Sequence, residues 1–170
     1  MFMSLEMADW VIQNDGFHHI CLKDKEYSSC LIWACRGQNP AVAIKLMRNR
    51  PLEDEEILGQ CLLSSTYGKS AELISYILAL PKAITIPDCL LDDAFYRAAI
   101  TSFEKSNPKE FFTQGIELFI DFWIKSGKEA LIDHDHIREL KTLAEQQGDQ
   151  EVLDILQKLN VFLETFKTES

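Results

Sequence analysis

The side chains able to do chemistry in this sequence gather in a few places, the densest being Asp133-His134-Asp135-His136. Alternating carboxylates and imidazoles are metal-ligand types. Two histidines two positions apart diverge on a helix, however, and a transition-metal site needs a third and a fourth ligand that the neighbouring residues do not supply. The stretch therefore reads as an exposed turn in which Asp133 or Asp135 caps a helix. His18-His19 adds two imidazoles that only the fold could bring near. No metal and no other cofactor is expected.

Carboxylates also pair at Glu53-Asp54-Glu55-Glu56 and at Asp92-Asp93. Their types suit general acid–base work, but both groups fall where helices are expected to begin. There a capping oxygen and the helix macrodipole account for negative charge. Five cysteines (Cys21, Cys30, Cys35, Cys61, Cys89) include no C-x-x-C pair, and four lie among apolar neighbours, where a thiol behaves as a small hydrophobe. Free buried thiols in a reducing cytosol follow. The chain contains no G-x-S-x-G, no glycine-rich phosphate loop and no H-E-x-x-H. A non-catalytic protein is expected; the alternative is a small enzyme whose Cys and His residues meet only through the fold.

A third group could act by contact. Lys45, Arg48 and Arg50 form a basic cluster beside Glu53 and Asp54. Exposed pairs of this kind contribute little to stability, which leaves room for a role in binding. With Lys82 and Asp133, His134, Asp135 and His136, they form the set of residues expected to touch a partner.

Composition narrows the partner. The 170 residues carry 27 acidic and 17 basic side chains, a formal net charge of −10. Long-range repulsion works against a nucleic-acid backbone or an anionic membrane surface, so another protein is the expected partner. Residues 1–50 are nearly neutral, and the excess negative charge lies beyond Pro51. No apolar run reaches the ~18 residues of a membrane span, and the N-terminal stretch lacks the basic and apolar regions of a secretory signal. A soluble cytoplasmic protein is expected, with 46% hydrophobic residues to supply one core.

The elements that must position these groups repeat one device: a glycine stop, a polar cap, then an apolar helix. Cys30 to Arg36 is an apolar helical stretch closed by Gly37, and Asn39-Pro40 opens the helix Ala41 to Met47. Thirty-one residues on, Gly68 closes a second helix and Ser70 caps a third. Leu31, Ala34 and Gly37 align with Leu62, Ser65 and Gly68; Val42 and Leu46 align with Leu73 and Ile77. Pro81 to Pro87 reads as an extended connector, and Asp88 as the cap of a helix bearing Leu91, Ala94, Phe95, Ala98 and Ala99. After Asn107-Pro108, the stretch 108–125 has two apolar stripes, which places it centrally. Gly148 and Asp149 repeat the device before a one-sided helix carrying Val152, Ile155, Leu156 and Leu159. The expected fold is all-α: a single domain, 1–170, of stacked antiparallel helical hairpins at 26–50, 53–80, 88–125 and 134–166. An N-terminal lid over 1–25 completes about nine or ten helices.

Ala144-Glu145-Gln146-Gln147-Gly148-Asp149-Gln150-Glu151-Val152 resembles the A-x-x-x-G-[HD]-x-E-[VI] signature of ankyrin repeats. The stretches 31–46 and 62–77 are similar, with one extra residue after the glycine. By this resemblance Gly37, Gly68 and Gly148 take the place of the inter-helix glycine. The chain departs from the pattern in having no T-P-L-H opening, Ser64-Ser65 where two alanines are usual, and no such glycine in the third hairpin. The resemblance implies an α-solenoid that binds protein through inter-repeat loops and inner helices; the hairpin stack and the lack of a catalytic constellation make an adaptor or an inhibitor of its partner the expected role. Small divergent members also occur among effector proteins that intracellular bacteria inject into host cells.

Overall fold

Short polar residues that accept backbone N–H bonds set most helix starts here, and glycine or a tightened turn sets most ends. The result is visible in a computed structural model that describes residues 31–37, 39–49, 54–101, 109–127 and 132–168. All regular structure among these residues is helical. Residues 31–36 form one helical segment, followed by α1 (Pro40–Asn49), α2 (Glu55–Tyr67) and α3 (Ala71–Leu78). A 3-10 turn (Pro81–Thr85) leads to α4 (Asp88–Ile100), α5 (Lys109–Ser126), α6 (His134–Gln147) and α7 (Gln150–Thr168). The expected lid at 1–25, the Asn107-Pro108 start, and Arg50 and Glu53 lie outside the described residues. The count of nine or ten helices concerns the whole chain.

Packing sorts the helices into two rows. In the first row α2 lies against α4, and α4 against α6. In the second row α1 lies against α3, α3 against α5, and α5 against α7. Sequence neighbours α2 and α3, α4 and α5, and α6 and α7 pair across the rows. First-row helices run side by side in one direction. Near their starts, a Cβ on Gly59 would lie 2.5 Å from Leu90 Cδ1; near their ends, Arg97 lies over the Tyr67 ring. The turns between hairpins therefore fall at one end of the rows and the turns within hairpins at the other.

The core runs between the rows. Leu58, Leu62, Leu73, Ile77, Leu91 and Phe95 are buried from three successive helices. Ile116, Phe119, Phe122 and Trp123 of α5 are buried as well, and α5 touches α3, α4 and α7, as its two apolar stripes require. Phe95 meets Phe119 edge-on at 6.0 Å between centroids and Trp123 at 5.6 Å, geometries that aromatic quadrupoles favour. Small residues set the helix spacing. Ala94, Ala98 and Ala99 are fully buried, and a Cβ on Gly115 would rest 3.5 Å from Ala98 Cβ.

Two local expectations need correction. Pro81–Thr85 is a 3-10 helix rather than an extended connector. Pro81 occupies its first turn, where a missing N–H costs nothing; the restraint on preceding residues is met by Leu80 (ψ 139°) and Ile86 (ψ 131°). Asp88 is the first residue of α4 and not its cap, because Pro87 holds the cap position with extended backbone. Gly68 does end α2, but with an ordinary φ of −73°; Lys69 takes the left-handed conformation at φ 56°. The need for glycine at 68 is one of space. A Cβ there would lie 2.9 Å from the Cys35 carbonyl oxygen and 3.1 Å from those of Arg36 and Gly37. The two glycines aligned in the sequence thus sit at the joint where the first two hairpins touch. Gly148, in contrast, closes α6 at φ 65° with open space around it.

Candidate functional site

The residues expected to contact a partner lie at the end of the rows where hairpins connect, and most of them are occupied in holding that end together. Asp54 caps α2, accepting from Glu56 N at 2.9 Å and Ile57 N at 3.1 Å. Asp133 caps α6 by accepting from Asp135 N at 2.8 Å, and Asp135 pairs with Arg138 at 2.7 Å. Lys45 is half-buried on α1. Arg48 is exposed, its guanidinium 5.6 Å from the centre of the Tyr76 ring on α3. Lys82 is exposed on the 3-10 turn, and His134 is exposed at the start of α6.

His136 behaves differently. Its ring stacks on Tyr96 of α4, 4.0 Å between centroids and 17° between planes. Its Nδ1 lies 3.0 Å from Asp92 Oδ2, a charge-pair distance, although out of hydrogen-bond alignment. The other oxygen of Asp92 accepts from Asp133 N at 3.2 Å. Asp92 is therefore a clamp between α4 and α6 rather than a charge that merely suits its own helix start. Burial, with a hydrogen bond to Glu139 and the charge of that carboxylate, pushes the Tyr96 hydroxyl up to about 12 against the partial relief from Arg97. Tyr96 stays protonated and joins α4 to α6 as a donor. Among the described residues, no group of three His, Cys, Asp or Glu side chains is placed to hold a metal ion.

The described cysteines divide. Cys35 and Cys61 are fully buried and Cys89 is exposed on α4. A hydrogen bond with Cys61, then burial, then the repulsion of a second thiolate hold the Cys35 thiol well above its ordinary range. Cys35 and Cys61 join the 31–36 segment to α2 as paired thiols, while Cys89 departs from the expectation of buried thiols.

The opposite end of the first row presents an unexpected feature. Trp33 is 68% exposed and Tyr67 is 41% exposed. Arg36 sits between them, 5.7 Å from the Trp33 ring centre and 4.9 Å from that of Tyr67. Arg97 of α4 lies 4.4 Å from the Tyr67 centre. The four side chains form one ladder of alternating aromatics and guanidiniums, drawn from the 31–36 segment, α2 and α4. The signal for it was present in the repeat. With Leu31 and Cys35 facing inward, Trp33 falls on the outer face of its segment. The 31-residue offset that aligns Gly37 with Gly68 also brings Arg36 into register with Tyr67.

A shallow groove of about 540 Å³ lies on the second row between α3, α5 and α7, lined by Ser75, Glu117, Leu118, Asp121, Ile155 and Lys158. No helix among the described residues is long and apolar enough to cross a membrane. Searches against protein-family models, curated proteins and solved structures returned no significant match.

Proposed function

We propose that this chain is a non-catalytic protein-binding module, an adaptor or an inhibitor of its partner, built as an α-solenoid of ankyrin-like helical hairpins. The observation that carries the reading is the exposed Trp33–Arg36–Tyr67–Arg97 ladder. Tryptophan, tyrosine and arginine dominate the few residues that supply most binding energy at protein interfaces. A tryptophan two-thirds exposed leaves apolar surface that burial against a partner would stabilise. The two-row packing supports the solenoid form, since among the described residues each hairpin packs chiefly against its neighbours. The negative net charge favours a protein over a nucleic acid or an anionic membrane. A cytoplasmic site of action, either in the cell that makes it or in a host cell as an effector, agrees with the free thiols of Cys35, Cys61 and Cys89.

The test is affinity capture with the full chain and with a Trp33→Ala, Tyr67→Ala double variant. The expected result is a stoichiometric protein partner lost from the variant, whose melting temperature stays close to that of the parent. Failure to recover any partner, accompanied by measurable turnover of a substrate, would overturn it.

One observation favours the enzymatic alternative: exposed Cys89 lies one turn before Asp92, which faces His136. If that grouping were a nucleophile and its base, iodoacetamide would modify Cys89 far faster than free cysteine, and His136→Ala would slow the reaction. The binding reading expects Cys89 to react as an ordinary exposed thiol, unchanged by the substitution.

A further inference from the structure

The ladder also defines the chemistry of what it binds, given the protein-binding reading on which this step rests. We infer that it takes an acidic segment of the partner, with carboxylates on the guanidinium edges and an apolar side chain over Trp33. A guanidinium lying on an aromatic ring uses its flat face and keeps its N–H donors at the rim, where a carboxylate is bound in the guanidinium plane. Arg36 lies close to two rings at once, so its side chain is restrained before a ligand arrives. Less side-chain freedom is then lost on binding. Among the described residues Arg36 makes no ion pair, and it is exposed.

Charge supplies the second argument. The chain has a net charge of −10, yet this end places Arg36 and Arg97 on one ring and Lys69 two residues after that ring, in the turn between α2 and α3. A local positive patch on an acidic molecule selects short negative segments, because a long polyanion would also meet the repulsion of the remaining surface. That decides against single-stranded nucleic acid, which otherwise shares a liking for aromatics interleaved with arginine. It also decides against a small free anion, which would leave Trp33 uncovered. Finally, Arg36 ends its helical segment, where carbonyl dipoles hold a cation in place.

The experiment uses the full chain, fluorescently labelled, on an array of random short peptides, with a labelled oligothymidylate measured alongside by anisotropy. The variants are Arg36→Glu, Arg36→Lys and, as a control away from the ladder, Lys125→Glu. Bound peptides should be enriched in Asp and Glu beside an aliphatic or aromatic residue, and binding should weaken as salt rises. Arg36→Glu should lower affinity for them by at least about tenfold. Arg36→Lys should fall between, since lysine keeps the charge and loses the planar fork. Lys125→Glu should bind as the parent does. A bound set that is neutral or basic, binding indifferent to Arg36→Glu, no peptide bound at all, or oligothymidylate bound more tightly than peptide would each overturn the inference. The protein-binding reading stands or falls separately, on the affinity capture: a captured partner retained by the double variant would keep that reading and remove this surface.

Discussion

The two ends of the first helical row use polar side chains for opposite purposes. At the end where hairpins connect, Asp54, Asp92, Asp133 and Asp135 each bond a backbone N–H or a side chain of the protein itself. At the other end, Arg36 and Arg97 rest on aromatic rings, and the most exposed large apolar side chain of the described residues, Trp33, stands beside them. Polar density alone therefore does not mark a functional surface. Carboxylates at helix starts are stabilising where they are, whereas an exposed tryptophan in contact with a guanidinium has no such local justification.

The contrast can be broken most forcefully at the joint beneath the ladder. Gly68→Ala would place a methyl group 2.9 Å from a backbone carbonyl oxygen of the neighbouring hairpin. Backbone cannot yield as a side-chain tip does, so the substitution should cost about 1–3 kcal/mol and weaken partner binding at the same time. Gly148→Ala makes the useful comparison. It meets open space, and its cost should be only the left-handed strain, about 1 kcal/mol. Denaturant unfolding of both variants, read as midpoints at constant slope, measures the difference. Equal midpoints would mean that the hairpins do not meet as described.

Next in size is the separation of stability from binding. Trp33→Ala should leave the unfolding midpoint within about 0.5 kcal/mol of the parent, as expected for an exposed position. Asp133→Ala should lose about 1 kcal/mol by removing the α6 cap and leave partner capture unchanged. The reverse pattern, in which Trp33→Ala unfolds easily and Asp133→Ala loses the partner, would exchange the roles assigned to the two ends.

How far this could be read from the sequence differs between the two ends for physical reasons. Capping is a local interaction between residues two or three apart, so the starts at Asp54, Ser70, Asp133 and Asp149 were legible from residue type and the apolar period that follows. The central place of α5 was legible in its two stripes. The clamp of Asp92 to Asp133 and His136 spans 41 residues to its backbone partner, and nothing local signals it. The ladder contacts of Tyr67 are also long-range, and the sequence marks Trp33 only as part of an apolar helical stretch. Its outward direction depended on which neighbours faced the second row. Gly68 was legible as a helix end but its close approach to the neighbouring hairpin was not, since sequence shows a glycine and not whether conformation or space demands it.

The smallest expected effect concerns the far side of the clamp. Tyr96 holds its proton up to about 12 in the fold because burial and Glu139 disfavour the phenolate. In the unfolded chain a tyrosine loses it near 10. The contribution is thus complete below pH ~10, where both states are protonated, and is lost as pH rises from ~10 to ~12, where only the folded state retains the proton. Tyr96→Phe should cost little at neutral pH, because the ring still stacks on His136 and the lost hydrogen bond lies in a half-buried site. It should also flatten the fall in unfolding midpoint across that alkaline interval. An ultraviolet titration of the parent would show one late phenolate missing from the variant. A variant with the parent's alkaline slope would place the proton-holding group elsewhere and leave stacking on His136 as all that Tyr96 contributes to the clamp.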